Sequence, residues 1–425
     1  MPILTYPSYR HPCGWESPSA AQMGGLRYQG NCSCDAIVVG AGYTGLAIAR
    51  RLGELYPGGD IRVLDAERIG AGSPGRNSGF MLETVFTASE TTKAGKLNRL
   101  YRQAHQDMLA QSGLLNLETE ATERVFKAAA TSRGEKGLHK LGRFLQNSGQ
   151  PWKYMASSEL RDLTGSDYYR CGISLPGNRL VNPLQLIQAI ASQLAQNVTV
   201  HENSPVLAVT RNERGWCAQT PEGRLNAPKL FLANNAFAKR LGYGHSHAIT
   251  IYTYAGLTPV LDEYEQGVVT SHGHWGLLPA HRLGTTFRTT PDGRLLVRGM
   301  YGYEREDESK PAEILIRSLR KRFPSLEGTK RLEKWWGGTT SLTSNGAPLW
   351  GELKSGLFIS AGCNGTGIVK GWLLGTALAN FASGIKHVDI PTLMGTPSWM
   401  PPEPLRQLGF TIVSSIERKI ASNEQ

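Results

Sequence analysis

Long apolar runs are missing from this 425-residue chain: no window approaches eighteen consecutive apolar side chains, which excludes a helix spanning a bilayer. Cysteine is scarce. Six residues (Cys13, Cys32, Cys34, Cys171, Cys217, Cys363) without a framework spacing exclude a disulfide scaffold. Cys32 and Cys34 form C-x-C, but no second pair or histidine cluster completes a zinc site. His272 and His274 would face one side of a strand, yet neither His281 nor any other residue supplies a third ligand, so no metal is expected. A G-x-S-x-G elbow is absent, and with it the usual serine-hydrolase arrangement. The first ten residues lack the apolar stretch of a signal peptide. Reduced thiols and the missing leader make the cytoplasm the expected compartment.

What is present is ordinary in bulk and biased in charge. Hydrophobic residues make up 40% and charged residues 19%, enough for two intertwined domains around a sizeable core. The net charge of +11 favours anionic partners: phosphates, carboxylates, a membrane surface or nucleic acid. The basic residues are scattered, with small clusters such as Arg317 to Arg322, so nucleic acid is the least favoured of these.

The segment from Cys34 to Asp65 carries the most information. It reads as buried strand, glycine turn, helix and second strand closed by an acid. Gly40 allows the tight turn and Gly42 lets backbone N–H groups approach a pyrophosphate. Gly45 lets the helix, which opens through Tyr43 and Thr44, pack close to the strand. The helix N-terminus offers unpaired N–H groups and a positive dipole end to the phosphates. Asp65, twenty residues beyond Gly45, stands where a carboxylate accepts the hydroxyl hydrogens of an adenosine ribose.

Residues 1–33, rich in Pro, Gly and Ser, read as an irregular arm. Residues 92–149 look helical. Asn182 followed by Pro183 starts a helix, and short strands follow at 198–201, 205–210, 216–220 and 230–233. From Ile249 to Met300 the pattern is sheet-like, with a helix at 312–322 interrupting the sheet. Residues 356–374 repeat strand, glycine turn and helix. A long two-part cofactor lying between domains needs backbone from both ends of a chain, which favours a flavin over a nicotinamide. The predicted fold is therefore α/β, in two domains: a Rossmann-like cofactor domain (34–90, 182–245, 345–385) and an inserted mixed-sheet substrate domain (91–181, 246–344), with a tail at 386–425.

Three motifs carry a family resemblance: Gly40 to Gly45, Gly72 to Gly79 and Gly362 to Gly367. Together, in this order, they resemble the D-amino-acid oxidase-like family of FAD-dependent oxidoreductases, in particular its bacterial branch with γ-glutamylputrescine oxidoreductase and L-pipecolate oxidase. The resemblance covers roughly residues 30–385. It implies FAD in an extended conformation, with Gly40, Gly42 and Gly45 at the pyrophosphate and Asp65 at the ribose. Arg76, Asn77, Ser78 and Gly79 would line the flavin and ribityl side, and Val206 would meet adenine through its backbone. Gly362, Asn364, Gly365, Thr366 and Gly367 would place a helix N-terminus at the flavin pyrimidine edge, where it stabilises charge on the reduced ring. Relatives with a covalent thioether carry its cysteine in the segment matching Trp336 to Ser344. That segment has none here, so the FAD is expected to be non-covalent and Cys363 a buried thiol.

The resemblance further implies oxidation of an amine or amino acid by hydride transfer to flavin, giving an imine that hydrolyses, with oxygen or a respiratory acceptor taking the electrons. A cyclic imino acid such as L-pipecolate is the first substrate considered, a γ-glutamylated or free polyamine the second. Tyr252 and Tyr254 share one face of a strand and are candidates for the pocket wall. Lys370 lies one residue out of register with a carboxylate-binding lysine of some relatives. Several relatives that oxidise amino acids also carry an arginine shortly after the Trp-Gly-Gly element, whereas Trp336-Gly-Gly338 continues here as Thr339-Thr-Ser341. A substrate carboxylate would then fall to Lys370, Arg282 or Arg298. A nicotinamide-dependent oxidoreductase and an RNA-associated flavoprotein remain as readings from other classes. Residues 410–420 read as a basic amphipathic helix, suited to lying on the inner face of a membrane or to packing on its own domain.

Overall fold

The computed structural model describes residues 5–16, 25–86, 90–113, 124–306 and 310–425. Among them, strands Ala36–Val39, Ile61–Leu64, Val198–His201, Lys229–Leu232 and Leu357–Ala361 form a parallel sheet with Leu349–Lys354 antiparallel at one edge. The strands are short and almost uniformly apolar because helices cover the sheet. The glycine-turn helix Tyr43–Leu55 lies against it, and the helix Val369–Ala382 packs on that helix in turn. The two approach closely because Gly371 and Gly375 leave room. A β-carbon at Gly375 would sit 2.3 Å from the Thr44 carbonyl oxygen, and one at Gly371 2.9 Å from its hydroxyl. The two ends of the chain are thereby bound into one unit.

An eight-stranded mixed sheet makes the second layer, with Ile249–Leu257 paired between Lys334–Leu342 and Arg294–Tyr303. From the far side of the sheet Phe126 and Phe287 pack with Trp275, with Leu315 of the helix Pro311–Arg322 and with Phe323. One helix on the cofactor side starts where the sequence signals it. Asn182 caps Pro183–Ser192 by accepting from the N–H groups of Leu184 at 3.1 Å and Gln185 at 3.2 Å.

Three local expectations are corrected. The stretch 92–149 is not continuously helical: strand Val125–Ala129 lies between helices Thr91–Gln111 and Ser132–Asn147, joining the eight-stranded sheet where tertiary pairing outweighs helix propensity. The arm is not wholly irregular, since Gly30–Ser33 pairs in parallel with Gly223–Ala227. His272 and His274 lie in the connection between helix Glu263–Thr270 and strand Gly276–Pro279, not on a strand.

Candidate active site

A long cavity runs along the carboxyl ends of the parallel strands and on between the two sheets, the position at which open α/β sheets bind ligands. Its lining includes Asp65, Val206, Asn234 and arm residues Thr5 to Pro7, together with Gly40, Gly42, Tyr43 and Thr44 of the glycine turn. Arg76, Asn77 and Ser78 line it as well, as do Gly365, Thr366 and Gly367. The three glycine-rich segments, more than 300 residues apart at their extremes, thus border one space.

The glycine turn is held by close contacts. Gly40 has φ +102°, and a β-carbon on Gly45 would sit 1.8 Å from the Gly40 carbonyl oxygen. Asp65 accepts the Ala41 N–H at 2.6 Å and the Glu67 N–H at 3.1 Å. Burial nonetheless pushes its carboxyl above the usual carboxylate range. Each oxygen keeps lone pairs for a further donor, such as a sugar hydroxyl. The Asn234 side-chain carbonyl, also on the cavity, is buried with no hydrogen-bond partner. A buried acceptor without a donor, a carboxylate without a cation and a steric cradle that admits only glycine fit the sugar and diphosphate of FAD.

Several predicted cofactor residues brace the site rather than line it. Gly45 and Gly79 form the backs of their turns; a β-carbon on Gly79 would strike the Val181 carbonyl oxygen at 2.0 Å. Asn364, in the left-handed region at φ +53°, ties its turn to the Thr343 N–H at 2.9 Å and to the carbonyls of Gly346 and Gly362 at 3.0 and 2.8 Å. The Gly362 N–H donates to the Asn235 side-chain oxygen at 3.0 Å in the same bracing set, and Gly362 does not line the cavity. Tyr43 lines it, but its hydroxyl donates to the carbonyls of Pro74 and Pro183. The Arg76 guanidinium is spent on carbonyls, those of Ala71 at 2.6 Å, His11 at 3.0 Å and Gly337 at 3.0 Å. Cys363 is half-buried on the cavity wall instead of packed away, its sulfur 3.2 Å from both Asn235 Nδ2 and Thr340 Oγ1.

On the substrate side, strand alternation runs opposite to expectation. Tyr252 and Tyr254 turn into the core beside Phe287, Trp275 and Trp335, and the residues between and after them, Thr253 and Ala255, face the cavity. Lys370 does not line the cavity either. It is buried in the first turn of its helix, and burial pushes its ammonium pKa down. Arg282 is exposed and paired with Glu417. Arg298 is the cation that reaches the cavity among the three considered. Its cross-strand neighbours Ala255 and Thr286 line it too, so three adjacent strands present one patch.

The arm is the part the sequence did not announce. Thr5 donates to the Val206 carbonyl at 2.6 Å, and the Tyr9 hydroxyl lies 3.1 Å from Thr339 Oγ1. Trp15 donates to the Asn77 carbonyl at 2.8 Å. Residues 5–16 therefore run along the cavity wall from Val206 to the Gly72–Gly79 loop. Proline-rich irregular backbone gives no periodic signal for such docking; a run of aromatics (Tyr6, Tyr9, Trp15) in a segment read as an irregular arm was the available hint.

Residues 35–381 match the family model described as FAD dependent oxidoreductase (DAO). The chain is 27% identical over 395 residues to a Rhizobium meliloti (strain 1021) protein named "Probable oxidoreductase OrdL", covering 86% of this chain and 88% of that one. It is 24% identical over 371 residues to gamma-glutamylputrescine oxidoreductase of Escherichia coli (strain K12), covering 83% and 84%. In structure it is similar to glycine oxidase from Geobacillus kaustophilus, with a TM-score of 0.73 at 18% identity over 86% of this chain and 98% of that one.

Proposed function

This chain belongs to the FAD-dependent oxidoreductase family, and on that premise we propose that it oxidises the carbon–nitrogen bond of a small amino or imino acid whose carboxylate is held by Arg298. One observation carries the reading. Arg298 lines the cavity, and among the described residues no acid pairs with it; its contact is the Tyr301 hydroxyl at 3.4 Å. A guanidinium has five N–H donors in a fork that matches a carboxylate, so donors remain for a ligand. Arg298 thereby answers the missing arginine after Trp336-Gly-Gly338.

Bound FAD supplies two-electron acceptance from the carbon beside the substrate nitrogen. The chain's part is to bind and orient. Thr253 and Thr286 set hydroxyls beside the arginine, and Phe80, Leu82 and Leu278 provide apolar wall. A cation and an apolar lining both disfavour the protonated amine, so substrate nitrogen is held neutral without a dedicated strong base. The only proton this arrangement moves is the ammonium proton, released on binding.

A cyclic imino acid such as L-pipecolate is the first candidate, and γ-glutamylputrescine, which the Escherichia coli relative is named for, also carries a carboxylate beside an amine. Mixing the FAD-loaded protein anaerobically with L-pipecolate, L-proline, γ-glutamylputrescine and putrescine tests this. Loss of flavin absorbance with the carboxylates is expected; bleaching by putrescine alone would remove Arg298 from its role. Repeating the reaction in air distinguishes oxygen from another acceptor.

A further inference from the structure

The chain beyond the cavity ends in the helix Leu405–Ala421. Arg406, Phe410, Ser414, Glu417 and Ala421 recur at three- and four-residue intervals and form the face turned to the protein. Phe410 packs on Tyr303 with ring centroids 4.9 Å apart, and Arg406 donates to the His245 carbonyl at 2.6 Å. Glu417 pairs with His281 at 3.0 Å and Arg282 at 2.9 Å. These contacts fix the rotation of the helix about its axis.

What the helix turns outward is apolar. Leu405, Leu408, Ile412 and Ile416 follow one another at three- and four-residue spacing on the opposite pole, a strip about 16 Å long at 1.5 Å per residue. Val413 lies beside it and Trp399 precedes the helix. All six side chains are more than half exposed. Exposed apolar residues scattered singly are normal on soluble proteins; a row of this kind marks an interaction surface.

Charge selects the occupant. Glu417 is the only acid in the helix, and it is turned inward, whereas Arg418 and Lys419 are exposed. Lys419 stands in line with the strip, and Arg418, exposed to its side, donates to the Tyr301 carbonyl at 3.4 Å; Glu403, the exposed acid just before the helix, is engaged by the Tyr303 hydroxyl and the Gln407 N–H, in a chain of net charge +11. A second copy would bring like charges together, and an anionic bilayer surface would attract them. Aliphatic residues in line, a tryptophan at one end and basic residues alongside are the components of a helix lying in the plane of a lipid interface.

We propose that this strip seats the enzyme peripherally on an anionic lipid bilayer. The seat is next to the substrate end. Arg282, the partner of Glu417, accepts the Tyr301 hydroxyl through its carbonyl at 3.0 Å, and Tyr301 is the contact of Arg298. The inference does not rest on the substrate reading, and its failure would leave that reading untouched.

Co-sedimentation of the FAD-loaded full chain tests it, with vesicles of phosphatidylglycerol and phosphatidylcholine in equal parts and with phosphatidylcholine alone. Binding to the mixed vesicles, weakened by added salt, is expected, with at least tenfold weaker binding to the neutral ones. Replacing Ile412→Glu and Ile416→Glu together should abolish it while flavin absorbance and turnover in solution stay unchanged, because both side chains point away from the fold. Wild-type protein that stays in the supernatant, or a double variant that binds as well as wild type, would overturn the proposal. So would light scattering that shows a dimer split by the double substitution, which would assign the strip to a second copy.

Discussion

The guanidinium carbon of Arg76 lies 4.0 Å from the centre of the Tyr9 ring, while its N–H groups hold the carbonyls of His11 and Gly337. One side chain of the Gly72–Gly79 loop therefore pins the N-terminal arm to the substrate sheet across the cofactor cavity. The charge is buried but well bonded, which is what makes it a rigid clasp.

Loosening this clasp is expected to weaken FAD binding. Tyr9→Ala removes the ring contact and the hydroxyl bond to Thr339, together worth about 1–2 kcal/mol, or roughly a tenfold rise in the FAD dissociation constant. Tyr9→Phe keeps the ring and should lose much less. Flavin fluorescence titration measures both, and trypsin cleavage after the exposed Arg10 should slow when FAD is added.

The glycine cradle should tolerate no side chain. Gly45→Ala would force a β-carbon to within 1.8 Å of the Gly40 carbonyl oxygen, so the helix must shift and FAD affinity should be lost. Gly375→Ala pushes instead on Thr44 from the neighbouring helix, and is expected to destabilise by about 1–3 kcal/mol with FAD binding reduced but measurable. Denaturant unfolding and the same titration separate the two effects.

Arg298→Met should cut kcat/KM for a carboxylate-bearing substrate about 10- to 100-fold, the range for hydrogen bonds to a charged group. The loss should fall mainly on KM if the arginine anchors ground state and transition state alike. Amines without a carboxylate should be affected little. An equal loss for both substrate types would show that the substitution had disturbed the cavity wall.

Lys127, on the strand Val125–Ala129, has its ammonium pushed down to about 8 by burial, against a partial pull upward from Glu424. Between about pH 8 and the ordinary lysine value, the unfolded chain binds a proton that the native chain lacks, so stability should rise with pH across that window. Below about pH 8 the folded protein carries the full burial penalty, at most about 3 kcal/mol. Lys127→Met should be more stable at neutral pH and lose the slope, as thermal unfolding at several pH values would show.

The sequence by itself determined the cofactor half of this protein. Glycine positions and a terminal acid are dictated by backbone sterics and local spacing, so Gly40, Gly42, Gly45 and Asp65 were readable in one dimension, as was the pairing of a second glycine turn with the first. Tertiary structure decided the rest. Alternation in the strand Ile249–Leu257 named two faces but not which one met the cavity, and the sheet's packing put Thr253 there and Tyr252 in the core. Of the three basic residues considered for a carboxylate, Arg282 pairs with Glu417, Lys370 is buried away from the cavity and Arg298 lines it. The arm's docking had no periodic signature at all. Local conformation follows from neighbours in the chain, but the direction of a side chain depends on which distant surface comes to lie against it.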